Sequence, residues 1–333
     1  MNYNRKFSAD VLKIDAESVT NRIGSFLKKE IINKFRKQGF VLGLSGGIDS
    51  SVVAALCVNA VGNNRVLGLL MPERESSPDT LVLGRLMADF LGIQTIHIDI
   101  TAILEAVECY RIRDDAIRTV IPDYTSDHKC KLVLPNILEK DTYSLFSIVV
   151  QSPNGKQEKK RLPKAAYLSI LASSNFKQRV RKMLEYYHAD KLEYAVAGTP
   201  NRLEYDQGFF VKLGDGAADT KPIAHLYKSQ VYELAEYFGV PDEIRERPST
   251  TDTYPLPQSQ EEFYFSLPHH ELDLCLFAKN HEIPAKQVAE VTGLSVDQVE
   301  RVYREIASKR RATKYLHAVS VLVEELPEVE IER

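Results

Sequence analysis

In the stretch LGLSGGIDSS, residues 42–51, a pair of adjacent glycines, a carboxylate and three serines follow a short apolar run. Gly46 and Gly47 let the backbone approach a phosphate closely, and the serine hydroxyls can donate hydrogen bonds to it. Asp49 would be repelled by a bare phosphate, but it suits a site in which Mg²⁺ lies between the carboxylate and the phosphate oxygens. The segment therefore predicts a magnesium-dependent nucleotide site.

The residues around this stretch indicate how it is positioned. QGFVLGL before the glycines is typical of a strand, and SVVAALCVNAVG after them is typical of a helix. A helix that begins after a glycine turn has unpaired backbone N–H groups at its start, and these form an anion site. The pattern has no Lys-Ser/Thr pair and is not GxGxxG, so it differs from both common phosphate-loop motifs. The alternative is a simple loop that caps the next helix.

Apolar runs and periodic segments alternate along the chain, which predicts an α/β fold with a doubly wound parallel sheet flanked by helices. Strands are expected near 40–44, 65–71 and 94–100. SPNGK within residues 121–165 predicts an inserted β-hairpin or flap. Residues 261–325 are expected to be helical, and residues 1–333 are interpreted as one domain.

An amphipathic helix is predicted over residues 16–37, since its apolar residues recur at helical spacing. The predicted stripe consists of Val19, Ile23, Phe26, Leu27, Ile31 and Phe35. Such a stripe faces either the core of the protein or a second subunit.

Composition excludes several classes of protein. The 333 residues are 44% hydrophobic and 27% charged with a net charge of −3, so no general attraction to nucleic acid or membrane is expected. The four cysteines lie far apart, which disfavours a zinc site or a disulfide framework and favours a cytoplasmic location. The amino terminus has no apolar signal region, and no run is long enough to span a bilayer.

Three more segments narrow the substrate: MPERESSPD, AGTPNRLEYDQGFFVKLGDGAADTKPIAHLYKSQ and PSTTDTYPLPQSQEEFYF. SGGIDSS resembles the pyrophosphate loop of ATP-dependent enzymes that adenylate an oxygen, and with these segments the chain closely resembles the NAD synthetase family. The resemblance implies an adenine nucleotide alpha hydrolase-like fold, a homodimer and amidation of deamido-NAD by ammonia, with ATP as co-substrate and release of AMP and pyrophosphate.

The resemblance also implies residue roles. The ATP contacts of the family correspond to Gly43, Leu44, Ser45, Gly46, Gly47, Ile48, Asp49, Ser50, Thr199, Lys228 and a hydroxyl of Ser249 or Thr250. Its deamido-NAD contacts correspond to Arg179, Lys212, Asp219 and Lys309. Its magnesium carboxylates correspond to Asp49 and Glu204, and the catalytic roles fall on Asp49, Lys228 and Asp219.

Elementary chemistry agrees with these roles. Two carboxylates from distant segments can share a hard cation that neutralises ATP, and Lys228 adds positive charge where pyrophosphate leaves. Arg179 and Arg181 lie two apart on a predicted helix, so one of them is expected to be only solvated. The chain departs from the family in GTPN, where the role of Asn201 is open, and in Ser308, where the family has a histidine before the lysine.

Several alternatives stay open. The insertion is either a lid that excludes water or a surface that packs on a partner subunit. Too few residues precede the phosphate loop for a fused glutaminase, so the ammonia is free or delivered by a separate subunit. The chain could also amidate or adenylate another carboxylate. Residues 282–315 resemble a helix-turn-helix DNA reader, although acidic residues among the basic ones favour a packing module.

Overall fold

The structure, a computed structural model, describes residues 6–133, 146–251, 253–265 and 267–324, together with Leu326 and Val329. In this part of the chain the strands are β1 (Phe40–Gly43), β2 (Val66–Leu70), β3 (Gln94–His97), β4 (Lys129–Val133), β5 (Ser147–Gln151), β6 (Gln157–Arg161) and β7 (Ala195–Val196). The α-helices are α1 (Ala16–Phe26), α2 (Ile48–Val61), α3 (Pro78–Leu91), α4 (Thr101–Ala106), α5 (Cys109–Arg118), α6 (Lys164–Leu192), α7 (Arg202–Gln207), α8 (Lys228–Tyr237), α9 (Asp242–Arg245), α10 (His269–Asn280), α11 (Ala285–Thr292) and α12 (Val296–Thr313).

The central sheet of the described residues is parallel, with the strand order β3-β2-β1-β7. Side chains of β1 alternate between two cores: Phe40 and Leu42 pack with α1, α2 and α8, whereas Val41 packs with α4, α5 and α6. Both faces of the strand are therefore buried, which explains its continuous apolar sequence. The predicted doubly wound architecture is confirmed.

The predicted first helix is shorter and more buried than its pattern suggested. α1 continues as wider π-helical turns over Leu27–Lys34 and ends there rather than near residue 37. Val19, Ile23, Leu27 and Ile31 of the predicted stripe lie in the core. The other two members, Phe26 and Phe35, are exposed. Most of the stripe thus serves the core of this chain.

The predicted hairpin is present and belongs to a three-stranded antiparallel sheet in the order β4-β5-β6. Its turn is closed by a hydrogen bond of 2.9 Å from Ser152 N to Lys156 O, and Gly155 has a φ of +85°. The residues 134–145 of the predicted insertion lie outside the described residues. α6 follows directly and begins at Lys164.

The predicted helical carboxyl-terminal part is also confirmed. α10, α11 and α12 share a separate apolar core, to which Phe7 and Leu12 of the amino-terminal segment contribute. Tyr303 of α12 donates a hydrogen bond of 2.9 Å to Ile283 O, which holds α12 against the segment before α11. Within the described part of the chain, no helix combines the length and apolarity needed to cross a bilayer.

Candidate active site

The phosphate loop, residues 44–47, connects β1 to α2 and is held by hydroxyls of its own stretch. Ser50 Oγ and Ser51 Oγ donate hydrogen bonds of 2.9 and 3.0 Å to Gly47 O. Ser45 Oγ lies 3.2 Å from Ser50 Oγ. These contacts fix the first turn of α2, whose unpaired N–H groups and positive dipole end form an anion site.

Gly46 allows the loop to pack against α3. Its φ is +69°, and a Cβ there would lie 2.6 Å from Leu83 Cβ and 2.9 Å from Gly84 N. Gly84 is equally constrained, because a Cβ on it would lie 2.9 Å from Leu44 O. The loop is thus held between α2 and a glycine of α3 that no sequence motif singled out.

A cavity of about 650 Å³ opens at the carboxyl ends of β1, β2 and β7. This is where doubly wound sheets bind ligands. Its walls include residues 43–45 and 47–50, Leu69–Pro72 after β2, Ala197–Pro200 after β7, the inner face of α6 and residues from the segment 247–264.

Asp49 and Glu204 meet at this cavity within one hydrogen-bonded network. Asp49 Oδ2 forms an ion pair with the buried Lys228 Nζ, and its Oδ1 accepts a hydrogen bond of 3.0 Å from Asn201 Nδ2. Glu204 Oε2 accepts from Asn201 N at 3.1 Å, and its Oε1 accepts from Gln260 Nε2 at 2.9 Å. Four segments that are distant in sequence therefore converge on the two carboxylates.

The electrostatics of the network indicate excess negative charge. Burial and the nearby carboxylate of Asp49 raise the pKa of Glu204. Burial alone would lower the pKa of Lys228, but the carboxylates of Asp49 and Glu204 raise it above its usual value. One ammonium thus serves two carboxylates, and the raised pKa of Glu204 indicates that further positive charge, from a proton or a metal ion, is favoured there.

The donor set fits magnesium held jointly with a nucleotide. Asp49 and Glu204 supply hard carboxylate oxygens and both line the cavity. Among the described residues no cluster of three acidic, histidine or cysteine side chains surrounds a metal position. Magnesium often takes one or two carboxylates and completes its shell with water and substrate phosphates, so this pair is sufficient.

The other predicted residues divide into two groups. Thr199, Ser249, Thr250, Arg179 and Lys212 line the cavity together with the predicted loop residues except Gly46. Lys228, Asp219, Lys309 and Gly46 lie outside its wall. Lys228 is buried behind Asp49, and Gly46 faces α3.

Asp219 and Lys309 have partners within the chain. Asp219 Oδ2 accepts a hydrogen bond of 2.7 Å from Val196 N, and its Oδ1 accepts one of 3.2 Å from the Tyr186 hydroxyl. Lys309 Nζ donates to Tyr264 O and pairs with Glu305. Tyr264 does line the cavity, so Lys309 supports the wall from behind.

Lys212 and the two arginines lie at the cavity. Lys212 Nζ donates hydrogen bonds of 2.9 Å to both Tyr315 O and Ala318 O. Both Arg179 and Arg181 line the cavity, but Arg179 is exposed, whereas Arg181 Nε donates a hydrogen bond of 3.2 Å to Met71 O. The expectation that one of them is only solvated stays a prediction. The 29-residue α6 borders the cavity from Tyr167 to Glu185, so residues from more than one of its faces line the wall.

The inserted sheet contributes to the same cavity. Leu132 of β4 and Phe146, which precedes β5, line it, and Phe146 stacks on Tyr167 of α6 with a ring separation of 4.1 Å. This part of the wall is therefore apolar and aromatic. No sequence signal distinguished these two residues from ordinary strand residues.

A buried ionic network, here called the Lys177 network, supports the wall. Lys177 Nζ donates hydrogen bonds of 2.8 Å to Glu73 Oε1, Glu75 Oε2 and Thr253 O. Arg113 Nη1 donates to the same Glu75 Oε2 at 2.6 Å. The network joins the loop after β2, α5, α6 and the segment that carries Ser249 and Thr250. Glu73 and Glu75 lie in the segment MPERESSPD, but nothing in the sequence predicted that they pair with Lys177 and Arg113.

The fold and the site together define a class: an α/β nucleotide-binding enzyme in which a glycine turn, the start of a helix and two carboxylates meet at the carboxyl ends of the strands. The sequence model of the NAD synthase family matches residues 19–126 and 125–313. The chain belongs to the NAD synthase family. This match extends through the helix pair α11–α12, which favours its role as a packing module over DNA recognition.

Curated relatives agree with this assignment. The NH(3)-dependent NAD(+) synthetase of Mesorhizobium japonicum is 57% identical over 318 residues, which cover 96% of this chain and all of that protein. The enzyme of the same description from Rhizobium meliloti is 56% identical, with 97% of both chains covered. The predicted family is thus confirmed over nearly the full length.

Solved structures share the fold. An NH3-dependent NAD synthetase from Campylobacter jejuni aligns with a TM-score of 0.60 over 93% of this chain and all of that one, at 22% identity. The NMN synthetase of Francisella tularensis aligns with a TM-score of 0.64 over 93% of this chain and 99% of that one, also at 22% identity. At this identity the likeness shows the architecture alone.

Proposed function

We propose that the protein is a ligase that converts deamido-NAD to NAD with ATP and ammonia, and releases AMP and pyrophosphate. The observation that carries the proposal is the meeting of the phosphate loop with Asp49 and Glu204 at one cavity, in a chain 57% identical to a named NH(3)-dependent NAD(+) synthetase. The same identity argues against an enzyme that acts on another carboxylate.

The reaction needs no covalent nucleophile from the protein. The nicotinate carboxylate attacks the α-phosphorus of ATP and expels pyrophosphate, and ammonia then attacks the adenylated carbonyl and expels AMP. The start of α2 binds the phosphates through its N–H groups, while Lys228 compensates the charge of Asp49. Thr199 and the hydroxyls of Ser249 and Thr250 supply further hydrogen bonds from the cavity wall. The protein thus positions the reactants and compensates their charge.

Magnesium would be held by Asp49 and Glu204. When bound, it supplies the positive charge that offsets the triphosphate and the leaving pyrophosphate. The two oxygens of Glu204 are already directed by Asn201 and Gln260, so this carboxylate needs little reorganisation.

The dinucleotide would bind near Arg179 and Lys212, on the part of the wall remote from the phosphate loop. Asp219 and Lys309 would act at its margin, since both are fixed by contacts outside the wall.

A homodimer is part of the proposal. Arg179, Met183 and Tyr187 follow one another at helical spacing on α6, and the last two side chains are 56% and 58% exposed. An exposed apolar stripe that continues from a substrate residue favours a partner subunit that completes the site.

Free ammonia is the proposed nitrogen donor, in keeping with the description of the relatives. A separate glutaminase subunit would deliver the same molecule and leaves the chemistry at this site unchanged. All four cysteines are buried and unpaired, which supports the cytoplasmic location.

The test is a balanced assay with purified protein, ATP, Mg²⁺ and ammonium, with and without deamido-NAD. We expect NAD and pyrophosphate to form in equal amounts and only when deamido-NAD is present. Nicotinate mononucleotide, supplied in place of deamido-NAD, is the matched alternative substrate. Pyrophosphate release without deamido-NAD, or preferential use of the mononucleotide, would contradict the proposal.

A further inference from the structure

Asn201 contacts both candidate magnesium carboxylates from a buried position. It is 1% exposed, and its Nδ2 donates a hydrogen bond of 3.0 Å to Asp49 Oδ1. Its backbone N donates one of 3.1 Å to Glu204 Oε2. A single residue therefore joins the start of α2 to the start of α7.

The other end of the same amide begins the helix that carries Glu204. Asn201 Oδ1 accepts hydrogen bonds of 2.9 Å from Leu203 N and 3.2 Å from Glu204 N, and these cap the first turn of α7. The helix start fixes where Glu204 lies, and the amide donor fixes where Asp49 lies relative to it. Lys228 and Gln260 each hydrogen-bond to one of the two carboxylates, whereas Asn201 bonds to both.

The residue type suits this double role. Asparagine, aspartate and serine all cap helices well, because each has a side-chain acceptor. Of these three residues, only asparagine can also donate an N–H to Asp49. An aspartate would place a third carboxylate next to Asp49, and the side chain of a serine is too short to reach it. Capping alone therefore does not explain why an amide occupies this buried position.

We infer that Asn201 is a positioning residue that sets the spacing of Asp49 and Glu204 for a shared magnesium ion. The inference rests on the proposed function, because it takes these two carboxylates as the metal ligands. Asn201 touches neither substrate nor metal in this role and acts only through the carboxylates.

Replacement by serine separates the two roles of the residue. N201S keeps the cap of α7 and the backbone hydrogen bond to Glu204, but removes the donor to Asp49. We expect the magnesium concentration for half-maximal NAD formation to rise about tenfold, the effect of losing one hydrogen bond to a charged group. At saturating magnesium, kcat should stay within about twofold of the original, because the chemistry is untouched.

A second readout is independent of turnover. Mn²⁺ binding to the protein with ATP and without deamido-NAD, followed by electron paramagnetic resonance against a nucleotide-only blank, should weaken by the same factor in N201S. S295A is the matched control, since Ser295 caps α12 by a similar capping box far along the chain from either carboxylate. It should lower the melting temperature without changing metal affinity.

Two outcomes are kept distinct. If the unmodified protein makes NAD and N201S binds Mn²⁺ as tightly as the unmodified protein does, Asn201 is only a helix cap and the inference is overturned. If the unmodified protein makes no NAD, the proposed function fails, while the Mn²⁺ comparison still decides whether Asn201 positions a metal site.

Discussion

Several polar side chains of the phosphate loop are committed to protein partners before any phosphate arrives. The hydroxyls of Ser50 and Ser51 both donate to Gly47 O, so under the proposed function the backbone N–H groups at the start of α2 are the expected main donors to phosphate. Lys228 is likewise committed to Asp49. The serine hydroxyls therefore hold the loop in its conformation. Lys228 pairs with Asp49 and does not itself line the cavity.

This arrangement makes Gly46 sensitive to substitution. We expect G46A to lower the free energy of unfolding by more than the about 1–2 kcal/mol that a left-handed conformation costs an L-residue. The reason is the added contact of a Cβ with α3, at 2.6 Å from Leu83 Cβ. The loop must shift to relieve it, so the KM for ATP should also rise. Urea denaturation and initial rates at varied ATP measure the two effects.

Gly293, which follows α11, offers a matched control. It adopts a left-handed conformation with a φ of +75°, but no atom lies within 4 Å of a Cβ placed on it. G293A should therefore show the backbone strain alone, with an unchanged KM for ATP. Equal losses of stability in the two variants would show that the packing of the loop on α3 has no energetic weight.

For single residues, the sequence predicted the two candidate magnesium carboxylates but not the residues that hydrogen-bond to them. Asp49 and Glu204 lie in segments that resemble motifs of the family, and the structure brings both residues to one cavity. No such context pointed to Asn201 or Gln260. Asn201 and Asp49, for example, are separated by 152 positions, and a hydrogen bond over that distance in the chain leaves no mark on hydrophobic periodicity.

At the scale of elements, the Lys177 network holds helices and loops together, as apolar packing does in other parts of the fold. Burial alone would raise the pKa of Glu75, but Lys177 and Arg113 lower it from 4.5 to about 2. A lowered folded-state pKa means that the carboxylate stabilises the fold above pH 4.5, and that this contribution is lost as the pH falls towards 2. The shift corresponds to about 3 kcal/mol at neutral pH.

We therefore expect E75Q to be less stable than the unmodified protein by about 3 kcal/mol at neutral pH, with the difference shrinking as the pH falls below 4.5. Urea denaturation at stepwise pH measures it. E108Q is the control, because Glu108 pairs with Arg111 on the surface and solvent screens that pair. A gap between E75Q and the unmodified protein that is constant over this pH range would contradict the assignment.

The inserted sheet shows how far element prediction reaches. SPNGK marks the turn between β5 and β6 because glycine and asparagine are needed there. β4, the third strand, was not predicted as such, since its pairing partner β5 lies beyond residues 134–145. The contribution of Leu132 and Phe146 to the cavity follows from how this sheet packs against α5 and α6, which local sequence does not encode.

For the whole molecule, α6 connects the interior to the surface. Its inner face carries Lys177 and Arg181 into the buried site, while Met183 and Tyr187 are exposed on the opposite side. The stripe on the first helix, the other candidate for a subunit contact, is largely buried in the core. The exposed stripe on α6 is therefore the better candidate for a dimer contact.

A charge on this stripe tests the homodimer directly. We expect Y187E to shift the protein from dimer to monomer in sedimentation equilibrium, because burying an unpaired carboxylate in an interface is costly. Since Arg179 lies two helical turns away on the same stripe, the KM for deamido-NAD should rise more than the KM for ATP. V296E, at a side chain 43% exposed near the start of α12, should change neither the mass nor the kinetics. A monomeric unmodified protein, or a Y187E variant that stays dimeric with unchanged KM values, would remove α6 from the interface and leave Arg179 to act within a single chain.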